Sequence, residues 1–319
     1  MGSNNFGNTY ENSVFIAETS ANLVKRLKLN FQEDGLQKID NPYVESEFLR
    51  SKNELFRPVY TATGNDGDLY VVDMNKGVIQ HVTYLTNYLR KYVKEKHLNT
   101  IIDQGRIFKI SKINNTKSNH INLSNLDDDA IIQLLQHPNR SVRTHAQWNI
   151  AGLKKSHLIP QISDLFKKDI KDFTKIHILY TLHALAGLNK EVLESACQDS
   201  NPHIKRLGIS LSNLHNVDVS LLFGKLTTFE KYVFLAGQAE YIHKNPNKAI
   251  KIVPFLDEIA KDTVLSAILA GKVWENNTNQ TIHSILPHLE NKSSILYNFL
   301  KTNPTKTENK NENIAHLNL

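Results

Sequence analysis

The stretch from Phe56 to Ile110 constrains the fold most, because β-branched runs alternate there with residues that turn the chain. Pro58, following Phe56-Arg57, favours an extended entry over a helix. Gly64-Asn65-Asp66-Gly67-Asp68 gathers residue types that adopt positive-φ turn conformations at low cost. Leu69-Tyr70-Val71-Val72-Asp73 then has the composition of a strand. Asn75-Lys76-Gly77 is a second turn signal and leads to Val78-Ile79-Gln80-His81. Gly105-Arg106-Ile107-Phe108-Lys109-Ile110 closes the stretch with alternating strand sequence. Short strands joined in this way form an antiparallel meander, the unit of a propeller blade.

Between Tyr84 and Leu98 the period changes. Tyr84, Leu85, Tyr88, Leu89 and Tyr92 share one face of a helix. Such an insertion either covers a sheet edge or domain junction, or walls a pocket at the propeller mouth. Upstream, Val14-Phe15-Ile16 and Leu23 to Leu29 read as two strands around the turn Thr19-Ser20-Ala21-Asn22. Residues 31–50 are polar, with turns at Asp34-Gly35 and Asn41-Pro42, and Phe48 and Leu49 are expected to dock on the strands.

The runs FRPVYTATGNDGDLYVVDMNKGVIQH, YLTNYLRK and QGRIFKI, with ENSVFIAETSANLVKRLKL before them, carry a family resemblance. They resemble the closing part of the propeller in the bacterial membrane-bound dehydrogenase-like, haem-binding-domain family. That propeller is related to the soluble sugar dehydrogenases and is followed by helical repeats and a cytochrome c domain. The resemblance covers about the first third of the chain and implies a periplasmic or cell-surface parent that oxidises a sugar or polyol. It also implies haem c and a quinone in full-length relatives. No C-x-x-C-H occurs here, so this chain itself is expected to carry no cofactor. The resemblance transfers no catalytic residue, because the blades that hold the quinone and its histidine are not among the matched runs.

Composition narrows the remaining classes. The 319 residues carry 38 Lys and Arg against 32 Asp and Glu, a net +6 spread along the chain. A nucleic-acid surface would show a basic cluster interleaved with aromatics. The densest basic run, Arg90-Lys91 with Lys94 and Lys96, reads instead as a solvated helix face. No apolar run reaches the ~18 residues of a membrane span, and the first residues lack a secretory signal pattern. Cys197 is the single cysteine, which excludes an internal disulfide and fits a small buried side chain. About two blades of sequence cannot close a ring of roughly four to eight, so the expectation is the C-terminal piece of a longer protein. The missing blades or a cytochrome domain would then be its partners.

The chain turns helical after a polar linker, 113–123. Ser124-Asn125-Leu126-Asp127 is expected to cap a helix, with Asp128 and Asp129 complementing its dipole. Calcium is a poorer reading of these acids, since alternating oxygen ligands and a glycine are absent. Gln136 to Arg143 then matches Gln198 to Lys205 at an offset of 62 residues, pairing Asn139 with Asn201, Val142 with Ile204, and Arg143 with Lys205. With an intermediate unit at 170–185, the offset is two units of about 31 residues, which resembles HEAT-type helix pairs. Looser units follow at 221–241, 252–269 and 282–300, and Pro160, Pro254 and Pro287 sit near helix starts. The tail, 301–319, has a disordered composition.

The expected fold is therefore multidomain β plus α. A partial β-propeller of about two blades, 1–112 with a helical insertion at 84–98, precedes a HEAT-like α solenoid, 124–300. No nucleophile, phosphate-loop or metal-ligand pattern is present. Four polar groups at strand ends are the ligand-binding candidates: Arg57, Asp73, His81 and Arg106. They could line a propeller channel, or Asp73 could accept hydrogen bonds within its own turn while the arginines make structural bridges. The fitting role is a non-catalytic propeller end and helical scaffold. The alternative is a stand-alone module that binds a protein partner along the solenoid.

Overall fold

The computed structural model describes residues 2–3, 5–31, 37–100, 102–113, 121–215, 217–244, 254–276, 286–287, 297–298 and 301. Two antiparallel sheets come first and helices follow. The chain forms two units, 1–185 and 186–319.

In the first sheet, β1 (Ser13–Glu18) pairs with β2 (Leu23–Phe31), which also pairs with β3 (Gln37–Asp40) and β4 (Leu49–Arg50). The second sheet has the order β5 (Pro58–Thr63), β6 (Leu69–Asp73), β7 (Arg106–Ile110). Sequence reading finds β1, β2, β5, β6 and β7 but takes 31–50 for turns. β3 and β4 are short strands whose formation depends on pairing with β2 rather than on local propensity. Val78 to His81 forms no strand.

Leu69, Val71 and Asp73 alternate with Tyr70 and Val72 along β6, placing the first three inward. Val24, Leu69 and Val71 make the apolar centre, joined by Phe6, Phe15, Phe48, Leu49 and Ile110. Phe48 packs edge-on against Phe15 at 4.7 Å, as its expected docking requires.

The insertion is a helix, α1 (Asn87–Glu95), capped by Thr86, whose side chain accepts from the Leu89 N–H. Its apolar stripe divides. Leu85 is buried, but Tyr84 and Tyr88 are each 74% exposed, so the helix does not bury the whole face that its periodicity suggests.

In the first unit, α2 (Asp128–Leu134) packs on α3 (Arg140–Gly152), α3 on α5 (Asp172–Ala184), and α4 (Ile159–Phe166) on α5. The cap of α2 is Asp127, whose carboxylate accepts from the Ala130 N–H at 2.8 Å. Ser124 lies in a preceding 3-10 turn, so the cap falls three residues later than expected. In the second unit, α6 (Lys190–Cys197) packs on α7 (Pro202–Leu214), and α8 (Thr228–Lys244) packs on α7 and α10 (Thr263–Asn276), with α9 (Leu256–Lys261) beside α10.

The helix starts are periodic. Asp128, Ile159 and Lys190 are 31 residues apart, and Arg140, Asp172 and Pro202 follow at 32 and 30. Asn139 and Asn201, equivalent in the repeat, each cap a helix by accepting from the second following N–H, at 2.9 and 2.8 Å. Cys197 is buried beside Ser212, and burial pushes its thiol up to about 11. The tail lies outside the described residues from 302 onward, and most of 282–300 does too.

Candidate functional site

Asp73 ends β6 directly opposite Arg106, the first residue of β7. Cross-strand neighbours of opposite charge attract when their side chains share a face. The Arg106 Nε donates to Asp73 Oδ2 at 2.8 Å, and Asp73 is fully buried. Its other oxygen accepts from the Arg57 N–H at 2.7 Å and the Asn75 N–H at 2.9 Å. A buried carboxylate needs this degree of satisfaction, since an unpaired one would be strongly disfavoured. Asn75 has a left-handed φ of 49°, which turns the chain back under the carboxylate.

Arg57 works differently. Pro58 begins β5 and holds the chain extended, so the Arg57 side chain projects across two loops. Its Nε donates to the Lys76 carbonyl at 3.1 Å, Nη2 to the Gly77 carbonyl at 2.9 Å, and Nη1 to Asn22 Oδ1 at 2.8 Å. Nη1 also reaches the Thr19 carbonyl at 3.2 Å. The planar fork of donors ties the β1–β2 turn to the loop after β6.

Three of the four candidate residues thus meet at one place, and Asp73 is the link. His81 does not join them. It lies in the exposed loop before α1, where its Nδ1 accepts from the Thr83 N–H at 3.3 Å and its ring stands edge-on to Tyr84.

Beside Asp73 and Arg106 opens a cleft of about 640 Å³. Val59, Val72, Met74, Ile102 and Ile107 form its apolar walls, and Asn75, Lys76, Asp103 and Gln104 supply polar groups. Arg106 stays 41% exposed, with its guanidinium 4.9 Å from the Phe108 ring centre. Asp73 is bonded at both oxygens and so is not freed as a base in the cleft. Its arrangement suits ligand holding.

A second polar cluster escaped sequence reading. Lys109 Nζ bridges Asp66 Oδ2 at 2.7 Å and Asp68 Oδ2 at 3.2 Å. Burial pushes Asp66 up, but Lys109, the Tyr70 hydroxyl and the Asp68 N–H together hold it below the usual carboxylate range. The hydrogen bond to Asp66 in turn holds Lys109 above the usual lysine value. The same turn is gripped from α3. Asn139 Nδ2 donates to the Gly64 and Asn65 carbonyls at 2.9 and 3.0 Å, and Ser141 Oγ and His145 Nδ1 lie 2.9 and 2.8 Å from Asn65 Oδ1. Ser3 donates to the Gly67 carbonyl at 2.6 Å, so the N-terminal segment lies along this joint. Gly67 has φ 81°, a conformation that favours glycine, and a Cβ there would displace the Asn5 side chain. The Gly-Asp-Gly-Asp spacing signals the turn, but nothing local signals that α3 would hold it.

Among the described residues no group of three or more His, Cys, Asp or Glu could hold a metal ion. No described helix is long and apolar enough to cross a membrane. A family model described as a domain of unknown function, DUF7133, matches residues 1–114. No curated protein and no solved structure matches the chain. The likeness therefore covers both sheets and α1 and stops before α2.

Proposed function

We propose that this chain is a non-catalytic portion of a dehydrogenase-like protein, the end of a propeller followed by a HEAT-like helical scaffold. Its full-length relatives would oxidise a sugar or polyol in the periplasm or at the cell surface and pass electrons to haem c, with a quinone as the primary acceptor. The second sheet carries this reading. Among the described residues it has three strands where a propeller blade has four, and β7 stands at its end with Arg106 to Lys109 all exposed. An open edge presents unpaired backbone groups ready to accept another strand. The missing blades are the partner this edge suits, and a cytochrome domain would complete the electron path. Two further features support it. Arg57 and Asp73 hold loops together, and the helix pairs keep an interval near 31 residues, as stacked repeats do.

Dye-linked oxidation of sugars by the purified chain tests the non-catalytic role, with no turnover expected. Rates comparable to a full-length relative would refute it. Reading the genomic locus tests the rest: in-frame strand-rich blades upstream and a C-x-x-C-H domain downstream are expected.

One observation favours the second reading, an interaction module. Trp148 is 62% exposed and Tyr180 44%, and each lies eight residues after the start of its helix, on α3 and α5. Exposed aromatics on adjacent helices are common anchors for protein partners. Closed reading frames on both sides of the gene, with Trp148→Ala abolishing capture of a purified partner, would put this reading first.

A further inference from the structure

We propose that the cleft at the ends of β5, β6 and β7 binds a small monocarboxylate with an apolar body. Arg106 is the anchor. Its Nε is committed to Asp73 and its guanidinium carbon lies 4.9 Å from the Phe108 ring centre, so the group is held from two sides. Both Nη groups remain without a hydrogen-bond partner among the described residues, and the side chain is 41% exposed at the cleft. A fixed, forked pair of donors matches the two oxygens of a carboxylate. Asp73 does not repel such a ligand strongly, because three donors already share its charge. Lys76 adds a second cation to the lining.

The apolar body follows from the walls. Met74 is 41% exposed, Ile102 64% and Ile107 66%, and Val59 and Val72 extend the same surface. Covering them removes apolar area from water, which favours a chain of several carbons over acetate. The volume of about 640 Å³ lies within the usual range for small-molecule sites, about 300–1,000 Å³. Asp103 is the other acid of the lining, and its charge disfavours a second carboxylate on the ligand. Arg57 takes no part, since its donors hold Lys76, Gly77 and Asn22.

The test is titration calorimetry on the whole chain with hexanoate, hexanamide and acetate. Hexanoate should saturate and bind about tenfold more tightly than either of the others. Arg106→Gln should abolish that preference, but it strands Asp73 and can unfold the sheet. Ile107→Glu is the independent variant: the position is exposed, the Asp73–Arg106 pair is untouched, and an anion enters the wall. Both ligands lose the Ile107 wall, but the added charge should weaken hexanoate about tenfold more than hexanamide. Equal binding of hexanoate and hexanamide, no saturation by about 50 mM, or hexanoate binding unchanged by Ile107→Glu would each overturn the proposal.

Discussion

The two sheets and the helices are stabilised by different means. The sheets have a small apolar centre, Val24, Leu69 and Val71, and around it bury Arg26, Asp68, Asp73 and Asn75. The helices of the first unit bury Ile131, Leu135, Ile150, Ile162, Ile178, Leu179 and Leu182, with Arg143 the only buried charge there. Short strands turn alternate side chains outward, so little apolar area is removed from water and directional hydrogen bonds must orient the loops. Helix pairs press whole stripes together and need less polar fastening. Where each region does bury an arginine, the solution is the same. Arg26 lies over the Tyr10 ring at 4.1 Å and Arg143 over Phe173 at 4.0 Å, both donating to backbone carbonyls rather than to acids.

The sharpest way to break this comparison is a matched pair of deletions. Asp73→Ala strands two backbone N–H groups and the Arg106 guanidinium and should destabilise the sheets by about 4 kcal/mol. Ile178→Ala opens a cavity in the helices and should cost about 3 kcal/mol. Hydrogen exchange read at β6 and at α5 localises each loss. If Asp73→Ala leaves β6 protection unchanged, the polar fastening of the sheets is wrong.

A smaller effect tests the joint between the regions. Asn139 caps α3 through Oδ1 and holds the Gly64 and Asn65 carbonyls through Nδ2. Asn139→Asp keeps the cap but loses both Nδ2 donations and should cost about 1 kcal/mol, and Asn139→Ala, which loses the cap as well, about 1 kcal/mol more. Denaturant unfolding of the two variants measures both terms. Stability unchanged in Asn139→Asp would mean that the grip on the turn contributes nothing.

The smallest effect is in pH. Burial, then the charges of Arg143 and Arg140, carry His177 down to about 4, with its Nδ1 2.7 Å from Gln147 Oε1. Its ordinary value is 6.5, so the unfolded chain takes up the proton first. Stability from this group is present in full above 6.5 and is lost as pH falls toward about 4. His177→Gln should flatten the slope by up to about one proton over that window. His137 contributes a slope of the same sign, since burial also lowers it. A wild-type curve already flat between these limits would show that His177 titrates normally.

The sequence by itself determined β1, β2, β5, β6 and β7, α1, and the interval of the helix pairs, because each is written in local period and turn chemistry. It also brought Arg57, Asp73 and Arg106 forward, through their positions at strand ends. Only the tertiary structure decided that these three meet while His81 stands apart, since the meeting depends on the β6–β7 register, which pairs residues 33 positions apart. It alone decided that β3 and β4 form along β2, that Tyr84 and Tyr88 stay exposed, and that α3 grips the Asn65 turn. The reason is physical. Period and propensity act over a few residues, whereas an edge, a clamp or a buried carboxylate exists only once distant segments have met.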